Sequence, residues 1–314
     1  MNKCKLAAAV SLSLLMSGVA IAGDTQTTAY GSVRLSVENN EGKVDSQDEL
    51  SRFGIKGSTK LGNGLTAVGQ FEYGVDFHQN AAPKLRLGFV GLKGEFGEIY
   101  HGSQTTLWHK FVRGAYFSDG KDSLRMYTIR DDGLTQYYYK KGGFKLGLGV
   151  QTEDKDGNNI DTVQVGGEYK SGGFKGQFAL VKDKNTDPSD KADKNEGQVL
   201  GVRLWYTAGP VTVSAFTHRA SDDFDYKTGS LCVGEKTTTD GIYGAYKTGA
   251  HKIHARYAVN ECDVKGEKTS SKVEYINHLD KKFRVWVAVE QQSGDKARIA
   301  DDVLISNLGV RYDF

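Results

Sequence analysis

The chain reads as sixteen short runs in which apolar and polar residues alternate. The last seven residues, Leu308-Gly309-Val310-Arg311-Tyr312-Asp313-Phe314, show the period, with an apolar or aromatic side chain at every second position. A period of two belongs to a strand with one oily face and one wet face. The predicted strands are 27–37, 51–61, 65–77, 84–93, 98–104, 132–140, 144–152, 162–170, 174–182, 198–206, 211–219, 241–247, 252–260, 271–279, 282–291 and 304–314. Seven connections between them are tight and carry hairpin residues, as at Gly62-Asn63, Lys141-Gly142-Gly143 and Ala208-Gly209-Pro210. Eight longer, more charged connections alternate with these. Sixteen oily faces need a common home. A closed transmembrane antiparallel β-barrel supplies it, with polar side chains turned into a lumen. Runs of about 9–11 residues suit a bilayer crossed at a ~45° tilt. An even strand count puts both termini on the side of the short turns, which is periplasmic in an outer-membrane barrel. A propeller or a pair of sandwiches shares the strand count but does not require short and long connections to alternate.

Composition agrees. Pro is scarce at 3, Gly is frequent at 39, and Tyr and Phe number 16 and 14. Aromatics favour strands and membrane interfaces, and Gly suits tight turns and bends. Mean hydropathy of −0.48 is too polar for a bundle of membrane helices but leaves a barrel open, since about half of each strand faces lipid. Residues 1–22 read as a cleaved signal peptide: Lys3 and Lys5, a short apolar core, then Ala20-Ile21-Ala22. The apolar stretch is too short for an anchor helix. Residues 23–314 then form a single barrel domain. Removing Lys3 and Lys5 lowers the 41 bases to 39, equal to the 39 acids, so no global charge argues for nucleic acid. Cys232 and Cys262 remain in an exported chain, where they form either a disulfide or two separate thiols.

Alternation also assigns faces. Phe53 and Ile55 go outward, so Arg52 and Lys56 go inward; Leu85, Leu87 and Phe89 go outward, so Lys84 and Arg86 go inward. By the same rule Lys252, His254 and Arg256, then Lys282, Arg284 and Glu290, face the lumen. A one-residue slip would place these charges in lipid at roughly 2–4 kcal/mol each for Arg or Lys at the midplane. Inward bases outnumber inward acids such as Glu72, Glu168 and Glu274, which points to an anion preference. The third long connection, 105–130, is the longest and holds Trp108, His109, Lys110, Phe111, Arg113, Tyr116, Phe117, Asp119 and Asp122. A loop of that length is an outer flap or a segment folded into the lumen, and mixed aromatics and charges favour a constriction.

Two segments carry a family resemblance. Ser51-Arg52-Phe53-Gly54-Ile55-Lys56-Gly57 with Leu61-Gly62-Asn63-Gly64-Leu65 is one; Leu85-Arg86-Leu87-Gly88-Phe89-Val90-Gly91-Leu92-Lys93-Gly94 is the other. Together with the leader, Ala29-Tyr30-Gly31 and terminal Phe314, they resemble the general Gram-negative outer-membrane porins of the neisserial and betaproteobacterial type. The resemblance implies a homotrimer of 16-stranded barrels, each with a third loop folded inward at the narrowest point. It implies a basic wall of Arg52, Arg86 and Arg130 facing that loop. Asp119 and Asp122 best match the loop's opposing acids, though Lys110, Arg113 and Lys121 dilute them. It also implies lipid and lipopolysaccharide around the barrel, and Phe314 as the signal read by the barrel-assembly machinery.

Other chemistry is thin. His251 and His254 lack the spacing of a metal site, and no cofactor motif is present. Ser103 with His101 or His109 lacks a third group for hydrolysis. The expected function is passive diffusion of ions and small hydrophilic solutes through a water-filled pore, without catalysis. The alternatives are a saccharide-selective channel, with Trp108, Tyr116 and Phe117 stacking sugars, and a barrel hydrolase or surface adhesin.

Overall fold

The computed structural model describes residues 24–79, 81–114, 117–121, 124–152, 160–183, 197–224, 232 and 234–314. The expected signal peptide, Tyr116 and Asp122 lie outside the described residues. The elements are β1 (Thr25–Asn40), β2 (Lys43–Asp48), β3 (Arg52–Lys60), β4 (Thr66–Asp76), β5 (Ala81–Gly94), β6 (Gly97–Thr105), helix α1 (Leu107–Phe111), β7 (Arg130–Lys141), β8 (Phe144–Gln151) and β9 (Thr162–Ser171). They continue with β10 (Phe174–Asp183), β11 (Gln198–Ala208), β12 (Val211–Ala220), β13 (Thr237–Thr248), β14 (His251–Cys262), β15 (Gly266–His278), β16 (Phe283–Gly294) and β17 (Val303–Asp313). Apart from β2 and β3, strands pair antiparallel with their sequence neighbours, and β1 pairs with β17 from Ser32↔Asp313 to Asn40↔Ile305, closing the sheet. β1 pairs with β3 through 25–32 and with β2 through 35–40. β2 and β3 are therefore two halves of one stave, broken at Glu49-Leu50-Ser51, where Leu50 takes φ 68°. Sixteen staves form one closed barrel.

The outer surface follows the period of two. Leu146, Leu148, Leu200, Leu204, Ile253, Val287 and Leu308 are exposed there and form the oily band. Near the short turns, rings meet in pairs, Phe144–Tyr169 at 4.3 Å and Phe174–Tyr206 at 4.6 Å between centroids. Such rows suit the lipid–water interface. Terminal Phe314 is tied to the first stave by Gly31 N–H to its carbonyl at 3.2 Å and by its own N–H to the Gly31 carbonyl at 3.1 Å.

Two local readings need correction. In β5, Lys84 stands opposite Gly74 and Leu85 opposite Tyr73, but Leu87 stands opposite Glu72 and Phe89 opposite Gln70. Arg86 is the extra residue of a β-bulge. The bulge reverses the alternation, so Leu87 and Phe89 face the lumen and Gly88 and Val90 face outward. Several long connections are also shorter than the sequence pattern suggests. β1 and β2 meet at a two-residue turn, Glu41-Gly42, with φ 54° and 83°. β14 and β15 stay paired out to Cys262↔Gly266. Beyond the bilayer both faces of a hairpin are wet, so the oily/polar alternation disappears while the backbone ladder continues.

Candidate functional site

The segment between β6 and β7 lies against the inner wall. Thr106 caps α1, accepting the His109 N–H at 3.1 Å and donating to the Thr128 carbonyl at 3.0 Å. Leu107, Trp108, Phe111 and Val112 are buried together with inward residues Ala179, Val181 and Val199 of β10 and β11. The wall beneath α1 has glycines where other staves carry polar side chains. A Cβ on Gly166 would lie 2.4 Å from the Phe111 ring, and one on Gly201 would lie 2.8 Å from Trp108. Polar bonds fix the position: Leu107 N–H donates to Gln164 Oε1 at 2.9 Å, and Gln164 Nε2 donates to Asp131 at 2.8 Å.

The tip of the same segment is held by the opposite wall. Ser118 N–H donates to Glu274 Oε2 on β15 at 2.8 Å, and Asp119 pairs with Lys272 of β15. Lys272 also meets Glu290 of β16 at 3.0 Å and is 1% exposed. The Phe117 ring stacks on His254 of β14 at 4.5 Å, and His254 Nε2 lies 2.7 Å from Glu274. Contacts at β8–β11 and at β14–β16 thus carry the chain across the interior.

What remains open above α1 is a cavity of about 310 Å³. Among the described residues, eight cationic side chains line it: Arg52, Arg86, Arg113, Lys121, Arg125, Arg130, Arg203 and Arg256. One carboxylate, Glu72, stands with them. Glu72 accepts from Arg86 Nε at 2.8 Å and from Tyr30 at 3.1 Å, with Arg52 at 3.9 Å. Across the passage, Arg203 lies 4.0 Å above the Phe216 ring and donates to the Val112 carbonyl at 3.2 Å. Arg113 meets His109 Nε2 at 2.9 Å.

The structure brings Arg52, Arg86, Arg130, Arg113 and Arg256 to this one cavity and leaves other singled-out residues elsewhere. Asp119 is turned away from the passage and buried on Lys272. Trp108 borders the cavity but is 3% exposed, its ring edge-on to His218 at 4.9 Å. Lys56 and Lys110 line a second cavity beneath α1. Lys84 lies toward the outer end of β5, and Arg284 lies near the short turns, 3.8 Å from Asp313. Cys232 and Cys262 are joined by a disulfide with Cα atoms 6.0 Å apart. Arg298 donates to Cys262 Sγ at 2.8 Å and to the Gly266 carbonyl at 2.9 Å, so three outer connections meet there. Among the described residues, the one grouping with metal-ligand types in reach is this disulfide plus Glu235.

Two of the eight cations that line the cavity among the described residues were missed. Arg203 sits between outward Val202 and Leu204, so its inward position was readable from the alternation. Arg125 lies in the non-periodic connection, where no pattern assigns a face.

The chain is 25% identical over 96% of its length to the major outer membrane protein P.IB of Neisseria gonorrhoeae, covering 88% of that protein. It is also 25% identical to outer membrane porin F of Salmonella typhimurium, with 91% of this chain and 92% of that one covered. Its fold matches that of an anion-selective porin from Comamonas acidovorans with a TM-score of 0.71 at 16% identity, covering 93% and 100% of the two chains. It also matches OmpT of Vibrio cholerae, in a trimer form, with a TM-score of 0.70 at 18% identity, covering 92% and 99%. Residues 6–314 match the Gram-negative porin family over nearly the whole sequence, and the chain belongs to that family.

Proposed function

We propose that this outer-membrane porin passes small hydrophilic anions in preference to cations, by diffusion down their gradients and without catalysis. One observation carries the preference: among the described residues, eight cationic side chains and a single carboxylate line the passage above α1. A ring of like charge in a narrow aqueous passage raises the local concentration of the opposite ion. Arg52, Arg86 and Arg130 are proposed as the basic wall, opposed by the segment bearing Lys110 and Arg113. Asp119, held by Lys272, contributes little opposing field there.

Two observations support an open pore over the rival readings. Trp108 and Phe117 are each 3% exposed, so neither offers a free ring face to a sugar. His101 stands opposite Val90 on the outward face, bonded to Thr135 at 2.9 Å, whereas His109 lines the interior cavity. They do not converge with Ser103 on one reacting atom. A homotrimer is supported by the trimer form of the Vibrio cholerae neighbour. The oily band suits lipid and lipopolysaccharide, and Phe314, 50% exposed at the end of β17, suits recognition by the barrel-assembly machinery.

Reversal potentials across a planar bilayer in a potassium chloride gradient test the preference. The expected sign is that of chloride permeation, and a potassium-selective potential would end this reading. Conductance steps in threes, with chemical crosslinking to a trimer mass, test the assembly.

A further inference from the structure

The lumen has a second basic cavity, of about 440 Å³, on the short-turn side of α1. Its lining includes Lys56, Lys93, Lys110 and Lys145 with one carboxylate, Glu98, among the described residues. Glu98 is already engaged by the Tyr100 hydroxyl. Lys110 and Lys145 crowd the same ring, lying 4.7 Å and 5.0 Å from the Tyr138 centroid. Four ammonium groups with so little countercharge repel one another. The stress falls most clearly on Lys110: loss of water to the surrounding wall, then the Lys145 charge, pushes its pKa down to about 7, with Glu98 opposing. A cluster in this state gains from any multiply charged anion that settles among its members, because each ammonium then finds a countercharge.

We propose that this cavity is a binding station for small multivalent anions, distinct from the constriction above it and reached from the short-turn side. The proposal rests on the anion reading of the lumen. An anion that clears the Arg-lined cavity meets the four lysines next. The lower cavity differs from the upper one in chemistry. Ammonium groups on flexible stems adapt to phosphate or carboxylate oxygens in any orientation, whereas the fixed forks of the arginines favour planar partners. The Gln26 amide, exposed at the cavity edge, offers a further donor.

The test is single-channel block by inorganic pyrophosphate and, separately, by citrate, added on the short-turn side in potassium chloride. Saturable block by either probe is expected. The variant Lys110→Gln/Lys145→Gln should weaken it about ten-fold, in line with two lost charge contacts. Because Lys110 also holds α1, donating to Gln136 Oε1 at 2.8 Å, the variant Lys56→Gln/Lys93→Gln provides an independent check away from the helix. It should weaken block in the same direction. Arg86→Gln/Arg130→Gln should leave block from that side within about two-fold. Absence of block by both probes would overturn the proposal. So would block that ignores all four lysines, or block lost only in the arginine variant. Chloride-selective currents without block would sink this site alone, while block persisting with potassium-selective currents would support the site and sink the selectivity reading.

Discussion

Two walls of one lumen obey the same period and present opposite chemistry. Along β8 to β11 the inward positions covered by α1 include Gly147, Gly166, Ala179, Val181, Val199 and Gly201. Along β14 to β16 they hold His254, Arg256, Lys272, Glu274 and Glu290. The first wall is dry because the third loop covers it; the second is polar because it grips the tip of that loop and borders the passage. Alternation tells inside from outside. Whether an inward residue meets water depends on what the loop covers, a long-range fact that strand periodicity does not encode.

The grip on the charged wall is the first place to break this arrangement. Lys272 lies between Asp119 and Glu290, all three buried. Replacing it by Met removes the cation that Asp119 is paired with and leaves Glu290 to Arg256, and breaking a buried pair costs about 3–5 kcal/mol. Lys272→Met should release the loop tip, seen as flickering, larger single-channel currents and earlier thermal unfolding in detergent. Quiet currents of wild-type size would show that the tip is held by Phe117 and Ser118 alone.

The dry wall gives the second test. Gly166→Leu puts a side chain where the Phe111 ring now sits, and overpacking of this kind costs about 1–3 kcal/mol. The loop should lift from β9 and conductance should change. Gly176→Leu, on a neighbouring stave where a Cβ would lie 3.6 Å from Leu204, should do neither. Equal effects from both would mean that strand glycine itself, rather than the seat for α1, is what matters.

These contrasts also show what was legible beforehand. The sixteen staves, the outward oily band and the inward Arg52, Arg256 and Arg284 follow from alternation alone. Leu87 and Phe89 were misassigned because the bulge at Arg86 inserts one residue, and the pattern of apolar residues continues across it unchanged. The paired hairpin tips beyond Asn260 were invisible because Glu261, Lys265 and Lys268 face water on either side. Asp119 carried no mark that it would turn to Lys272, 153 residues away in sequence. Gly147, Gly166 and Gly201 did carry one. A glycine at an inward strand position leaves room for something to approach closely, and the loop is what approaches.

On the passage itself the expected effects are smaller. Arg86→Gln removes one of the eight cations found among the described residues and frees Glu72 from its 2.8 Å partner. The first change lowers the net charge by one, and the second leaves the Glu72 carboxylate less neutralised at the same spot. The chloride-to-potassium permeability ratio should fall about two- to five-fold, and Arg203→Gln, across the passage, should act in the same direction with Glu72 still paired. An unchanged ratio in both would place the selecting charges outside this cavity.

The smallest effect is a pH dependence that belongs to the underside of α1. With its pKa lowered to about 7, Lys110 is charged at pH 6 and mostly neutral at pH 8. Anion preference should therefore decline slightly across that interval. The stability sign runs the other way. Between about 7 and the ordinary lysine value of 10.5, the unfolded chain holds a proton that the folded chain has released, so the folded state gains stability as pH rises through this window. The groups facing Lys110 here are Lys145 on β8, Tyr138 on β7 and Glu98 on β6, with Lys56 and Lys93 across the cavity. Lys110→Met should flatten the step in selectivity between pH 6 and 8 by removing the titrating amine. Lys145→Gln should move the step to higher pH by removing the charge that opposes protonation. A step that survives Lys110→Met unchanged would assign the titration to another group.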